Sequence, residues 1–207
     1  MMGKDFGKLL KEISSLPDDW HGAGTVGANI LQEIARWAEK YGHIQHSAET
    51  GSGRTTLLLS HLSSCHIVFS VDAGNSITRV KNSPLFNPAN VTFIEGPSQR
   101  TLPHYSFANE NDLILIDGPH GYPFPDLEYF YLYPTLKPGA LLILDDILIP
   151  TIRRMFEILS ADTMYQVMKI IDGNTAFLLR TDVPVVNPEG DGWWLQGYNA
   201  NFLNSRR

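Results

Sequence analysis

Apolar positions in the first forty residues recur at helical spacing. Phe6, Leu9, Leu10 and Ile13 share one face of a helix predicted over residues 5–15, and Pro17 ends it. Ile30, Leu31, Ile34, Ala35 and Trp37 mark a second helix over about 26–41, with Gly42 suited to its C-terminal stop. From residue 43 the period changes. HIQHSAE (43–49), HIVFSVDA (66–73), VTFIEG (91–96), DLILIDG (112–118) and ALLILDD (140–146) are short runs apolar on both faces, as in a parallel sheet covered by helices. Helical stretches separate them: after the Gly51-Ser52-Gly53 turn, near 75–82, and over FPDLEYFYLYPTL before Pro138-Gly139. A further helix at about 151–160 precedes YQVMKII (165–171) and TAFLLR (175–180). These two runs flank Asp172-Gly173-Asn174, a sequence suited to a tight hairpin. The predicted fold class is therefore α/β, doubly wound and Rossmann-like, with a mostly parallel seven-stranded sheet and a C-terminal antiparallel hairpin. Residues 1–42 form a helical preface or lid, 43–180 the sheet domain, and 181–207 a tail rich in Pro, Gly and Asn that also carries Trp193 and Trp194. The tail is expected to wrap over the surface or a partner subunit.

Composition narrows the function classes. A chain of 207 residues buries enough surface to fold without disulfides or metals, and its single cysteine, Cys65, reads as a small buried side chain. The N-terminus lacks the apolar core of a signal peptide, and no stretch reaches the roughly 20 apolar residues of a membrane helix, so a cytoplasmic protein is expected. Net charge is −6, and the Lys and Arg residues are scattered apart from Arg153-Arg154 and Arg206-Arg207. That distribution argues against a nucleic-acid substrate. His43, His46, His61, His66 and His104 lack partners at ligand spacing and read as structural or surface residues.

The strongest chemical signal lies between the first strand and its helix, in Glu49-Thr50-Gly51-Ser52-Gly53-Arg54-Thr55-Thr56. Gly51 allows a sharp turn, Gly53 allows close ligand approach, and the following helix start offers free N–H groups. Asp72 ends the second strand, placed to accept hydrogen bonds from ribose hydroxyls. A glycine turn alone, or an acid alone, also fits an ordinary connection or a helix cap; together they indicate a nucleotide. Thr56 occupies the third-glycine place of a dinucleotide fingerprint, and Glu49 sets a carboxylate where pyrophosphate would approach. A ligand bearing an ammonium and a sulfonium suits that charge better than NAD.

E-T-G-S-G-R-T-T (49–56), V-D-A-G (71–74), E-G-P-S (95–98), L-I-L-I-D-G-P-H-G-Y (113–122) and L-K-P-G-A-L-L-I-L-D-D-I (136–147) together resemble the class I S-adenosylmethionine-dependent methyltransferases. The likeness is greatest to a small bacterial group with D-G-x-H-x-Y after the fourth strand, and it covers roughly residues 43–180. It implies that Glu49, Gly51 and Gly53 line the methionine half of S-adenosylmethionine, that Asp72 takes the ribose, and that Gly96, Pro97 and Ser98 border the adenine, with Asp117 also at the cofactor. Ala140 departs from the second glycine usual after Lys-Pro-Gly. Asp117, Asp145 and Asp146 fall at adjacent strand ends, where crowded carboxylates repel unless a hard cation compensates. The pattern is similar to metal-dependent O-methyltransferases, which implies Mg²⁺ on Asp117, Asp145 and Asp146 and His120 as general base. Three other readings stay open: Asp145-Asp146 as a helix cap, Asp117 touching only the cofactor, and His120 bonding only within its loop. The expected activity is O-methylation of a small hydroxylated acceptor held by the N-terminal helices, Tyr122-Pro123-Phe124 and the Trp193-Trp194 tail. The rival readings are a non-catalytic cofactor-binding module and a NAD-dependent oxidoreductase. A homodimer is the default assembly.

Overall fold

The computed structural model describes residues 4–20, 25–42, 44–185, 192, 194 and 196–204. His43, Trp193 and Arg206-Arg207 lie outside the described residues. Seven strands form one sheet: β1 (Ile44–Thr50), β2 (Ser63–Ser70), β3 (Val91–Glu95), β4 (Asn111–Ile116), β5 (Leu136–Leu144), β6 (Tyr165–Ile171) and β7 (Thr175–Arg180). Their order is β3-β2-β1-β4-β5-β7-β6, with β1 to β5 parallel and β7 antiparallel to both its neighbours. The order reverses between β1 and β4, the position at which doubly wound sheets open a crevice beyond their carboxyl ends.

Period-two alternation splits the core into two layers. Ile114 and Ile116 face one side with Ala48, Phe69, Leu142 and Leu144, under α6 (Phe124–Leu132) and α7 (Pro150–Ser160). Leu113 and Leu115 face the other with Ile44, Leu141, Ile143 and Phe177, under α1 (Lys4–Ser14), α2 (Ala28–Tyr41) and α3 (Arg54–Leu62). The buried stripe Ile30, Leu31, Ile34, Ala35 and Ala38 fixes the seating of α2, as its sequence period requires. Residues of α1 and α2 thus share a core with the sheet. Among the described residues no helix is long and apolar enough to cross a membrane.

Some boundaries differ from the sequence expectation. β2 starts at Ser63 and stops at Ser70, leaving Asp72 in the connection to α4 (Ser76–Asn82). β5 starts at Leu136 and runs through Lys137-Pro138-Gly139; the pairing with β4 slips between Asn111 and Leu113, where Gly139 has φ 81°. Cys65 is only partly buried. Three residues join the hairpin strands in a tight turn: Asp172 and Gly173 have φ 52° and 68°, and Asn174 N–H donates to the Ile171 carbonyl at 3.0 Å. In the tail, α8 (Gly197–Asn204) begins against the end of α7: a Cβ on Gly197 would sit 2.2 Å from the Ala161 carbonyl oxygen.

Candidate functional site

The crevice at the β1/β4 switch holds a cavity of about 480 Å³, bordered by Val26, the 51–55 turn, the end of β2, Pro97-Ser98-Gln99 and the 117–120 segment. Gly51 makes it possible. Its φ is 86°, its N–H donates to the Phe69 carbonyl at 2.9 Å, and a Cβ there would come within 2.4 Å of the Asp117 carbonyl oxygen. Gly53 ends the turn and donates its N–H to the Thr56 hydroxyl at 2.9 Å. The first residues of α3, Arg54 and Thr55, border the cavity at the helix start, where backbone N–H groups have no partner within the helix.

Glu49 is not on the cavity wall. It is 1% exposed and sits behind the glycine turn. Its carboxylate accepts hydrogen bonds from the Thr55 hydroxyl at 2.7 Å and from the Thr56 hydroxyl, and it meets His66 Nε2 at 3.1 Å. His66 Nδ1 in turn lies 2.8 Å from Ser47 Oγ. The threonine at the missing third glycine explains this: its hydroxyl gives the buried acid a donor that glycine lacks. In this position the Glu49 side chain braces the turn from behind, and Gly51 and Gly53 border the cavity.

Asp72 is exposed and stands between two cavity residues, Val71 and Ala73. Its carboxylate takes the Thr78 N–H at 3.1 Å and the Thr78 hydroxyl at 2.6 Å. Those bonds hold its pKa below the usual carboxylate range. Gly96, at φ 143°, anchors its N–H on the Ser70 carbonyl at 2.9 Å and delivers Pro97 and Ser98 to the cavity without lining it.

At the mouth, Asp117, His120 and Asp146 each offer one ligand atom, all within 4.8 Å of one another. His120 Nε2 lies 3.2 Å from Asp146 Oδ2 and 3.9 Å from Asp117 Oδ1, and it makes no well-angled hydrogen bond. The Asp117 carboxyl is pushed up to about 7, chiefly by desolvation, with Asp145 and Asp146 adding repulsion and His120 opposing. The His120 imidazole is raised above its ordinary value, first by Asp117, with Asp146 and Asp145 adding and burial opposing. Asp146 adopts φ 57°, which turns one oxygen to His120 while the other accepts from Asn174 Nδ2 at 2.8 Å. Asp145 commits one oxygen elsewhere. Its carboxylate accepts the Thr175 hydroxyl and is largely buried. The group that converges is Asp117, His120 and Asp146, instead of the expected three carboxylates.

A further acid was not anticipated from the sequence. Glu128, on α6, is fully buried; Thr50 donates to its Oε2 at 2.9 Å, and Oε1 has no hydrogen-bond partner. Burial pushes its carboxyl up to about 7. The available signal was periodic: Pro125, Glu128 and Leu132 form the buried stripe of α6, and a carboxylate in such a stripe needs a purpose.

Comparison with known proteins agrees with the fold. Residues 48–147 match the methyltransferase domain family. No curated protein sequence matches the chain. Among similar solved structures is the O-methyltransferase TomG from Streptomyces achromogenes, involved in tomaymycin synthesis and in complex with SAM. It is 16% identical, with a TM-score of 0.60 over 87% of this chain and 91% of that one. An O-methyltransferase from Bacillus cereus in complex with SAH is 15% identical, with a TM-score of 0.60 over 87% and 92%. MycE methyltransferase of mycinamycin biosynthesis, in complex with Mg, SAH and mycinamycin VI, is 11% identical, with a TM-score of 0.54 over 89% and 57%.

Proposed function

We propose that this chain, a class I S-adenosylmethionine-dependent methyltransferase, transfers a methyl group from S-adenosylmethionine to a hydroxyl oxygen of a small molecule. The observation that carries the reading is the placement of Asp117, His120 and Asp146 at the mouth of the glycine-turn cavity. The acceptor oxygen attacks the methyl carbon in line with the carbon–sulfur bond. That bond's electron pair returns to sulfur, giving S-adenosylhomocysteine, and the acceptor proton passes to His120 Nε2. An imidazole whose free nitrogen sits between two carboxylates is well stabilised once it carries that proton.

In the cofactor cavity, the α3 N–H groups and Gly51 face the methionine half, Asp72 exchanges its Thr78 bonds for ribose hydroxyls, and Pro97-Ser98 flanks the base. The acceptor lies between the N-terminal helices and Tyr122-Pro123-Phe124.

A divalent cation fits the trio: two carboxylates converge with an imidazole nitrogen that has no hydrogen-bond partner, and the Asp117 carboxyl, raised chiefly by burial with Asp145 and Asp146 adding repulsion, lacks a compensating cation. Asp117 and Asp146 would hold it, and the ion would supply a lowered acceptor pKa. Asp145 supports this pair from behind through charge, and its own oxygen is committed to Thr175. The test is transfer of labelled methyl to a panel of hydroxylated small molecules, with and without EDTA. Transfer lost to EDTA and restored by Mg²⁺ is expected. Transfer undiminished by EDTA would remove the metal, and cofactor binding without transfer to any acceptor would leave a binding module.

A further inference from the structure

Glu128 is a buried acid outside the predicted cofactor and metal sets, yet it touches three segments that carry cavity residues. The first is the end of β1: Thr50 Oγ1 donates to Glu128 Oε2 at 2.9 Å and accepts the Asp117 N–H at 3.1 Å. The second is the acidic loop: Gly118 lies flat on the carboxyl, so closely that a Cβ would come within 2.0 Å of Oε1 and 2.5 Å of Oε2. The third is the adenine side, where the Ser98 hydroxyl neighbours the same carboxyl. Thr50 is itself fully buried, so no water replaces these bonds.

We propose that Glu128 is a positioning residue for the transfer reaction, acting through Thr50 and Gly118 to set the Asp117-Gly118 segment against both the cofactor and the trio. The chain Asp117 N–H to Thr50 Oγ1, then Thr50 O–H to Glu128 Oε2, gives the hydroxyl one acceptor and one donor role with no choice of direction. An ordered hydroxyl fixes the Asp117 backbone where β4 ends, and Asp117 belongs at once to the cavity wall and to the trio. Gly118 explains the residue after Asp117: any side chain there displaces the carboxyl. The stabilisation is bought with a buried acid whose second oxygen goes without a hydrogen bond. A Leu at 128 would avoid that cost, so fold stability alone does not account for Glu128.

This inference rests on the proposed cofactor cavity, and the experiment separates the two. Binding of S-adenosylhomocysteine to the wild type by calorimetry tests the cavity itself; absence of binding overturns that reading and leaves the relay untouched as a structural fact. The relay is tested with Thr50→Val, which removes the hydroxyl at constant volume, Thr50→Ser, which keeps it, and Glu128→Leu. For Thr50→Val the dissociation constant of S-adenosylhomocysteine is expected to rise about tenfold, with kcat on any accepted substrate falling by a similar factor; Thr50→Ser is expected to stay within about threefold of wild type. Glu128→Leu should match Thr50→Val, and the double variant should lose no more than either single one. Circular dichroism confirms that each variant is folded before measurement; if Glu128→Leu fails to fold, the valine–serine pair decides alone. A purely structural role would lower the melting temperature of Thr50→Val and leave the affinity and kcat of its folded fraction at wild-type values. That result, or equal losses for valine and serine, overturns the proposal.

Discussion

Asp72 has a ligand-free partner and, in the proposed function, a ligand-bound one. It caps the start of α4 through Thr78 and stands between two cavity residues. Its exposure makes the exchange cheap, because water already competes for the carboxylate. Asp72→Ala is expected to weaken S-adenosylhomocysteine binding about tenfold or more while leaving the circular dichroism spectrum unchanged; unchanged affinity by calorimetry would reduce Asp72 to a turn residue. Glu128 answers differently to pH. Its carboxyl moves from 4.5 to about 7 on folding, so between those values the folded state binds more protons than the unfolded chain. Stability from this group is therefore highest below about pH 4.5 and declines as pH rises to 7, by an amount on the order of 3 kcal/mol. Thermal melts of the ligand-free protein from pH 5 to 8 should show a smaller fall in Glu128→Gln than in wild type. Identical slopes would mean that Glu128 titrates normally.

At the scale of elements, the site depends on how closely two parallel strands can end. β1 and β4 pair through Thr50 and Ile116, and the next residues, Gly51 and Asp117, remain in van der Waals contact across the switch point. Only a residue without Cβ and with φ near 86° closes that gap. Gly51→Ala must hold an L-residue in the left-handed region, at about 1–2 kcal/mol, and push the strand ends apart as well. A melting temperature lower by roughly 4 °C or more is expected, with loss of measurable S-adenosylhomocysteine binding. A variant that melts and binds like wild type would refute the contact. The hairpin shows the opposite economy: Asp172 and Gly173 carry its turn by their own backbone preference, and Asn29 on α2 adds a tertiary tie to the Asp172 carboxylate at 3.0 Å.

For the whole molecule, binding energy should appear as stability, because one core joins the sheet, the N-terminal helices and the cavity wall. Arg54 illustrates the linkage. Its guanidinium is buried, donates to the carbonyls of Leu16 and Val26, pairs with Asp18 at 3.2 Å and borders the cavity. S-adenosylhomocysteine at 100 times its dissociation constant is expected to stabilise the fold by about 2.7 kcal/mol, a rise of roughly 5–10 °C, whereas NAD should leave the melting temperature unchanged. Stabilisation by NAD alone would reinstate the oxidoreductase reading. Inward packing of the tail at Ala161 is also a whole-molecule fact: α8 turns back onto its own chain.

The sequence by itself determined the architecture, because strand and helix periods, the two glycines of the turn, and Asp172-Gly173 are local properties that backbone sterics convert directly into elements. It also determined which strand ends carry acids. Only the tertiary structure decided where those acids point. Asp145 and Asp146 are indistinguishable as neighbours in sequence, and they are told apart by the Thr175 hydroxyl held on Asp145 and by the left-handed backbone of Asp146, tied to Asn174. Glu49 reads as a wall residue until Thr56 and His66 enclose it. Glu128 was hidden inside an aromatic helix because its partners, Thr50 and Gly118, lie 78 and 10 residues away. Periodicity fixes the face a side chain occupies, but the hydrogen-bond partners of a buried polar group are chosen by packing across elements.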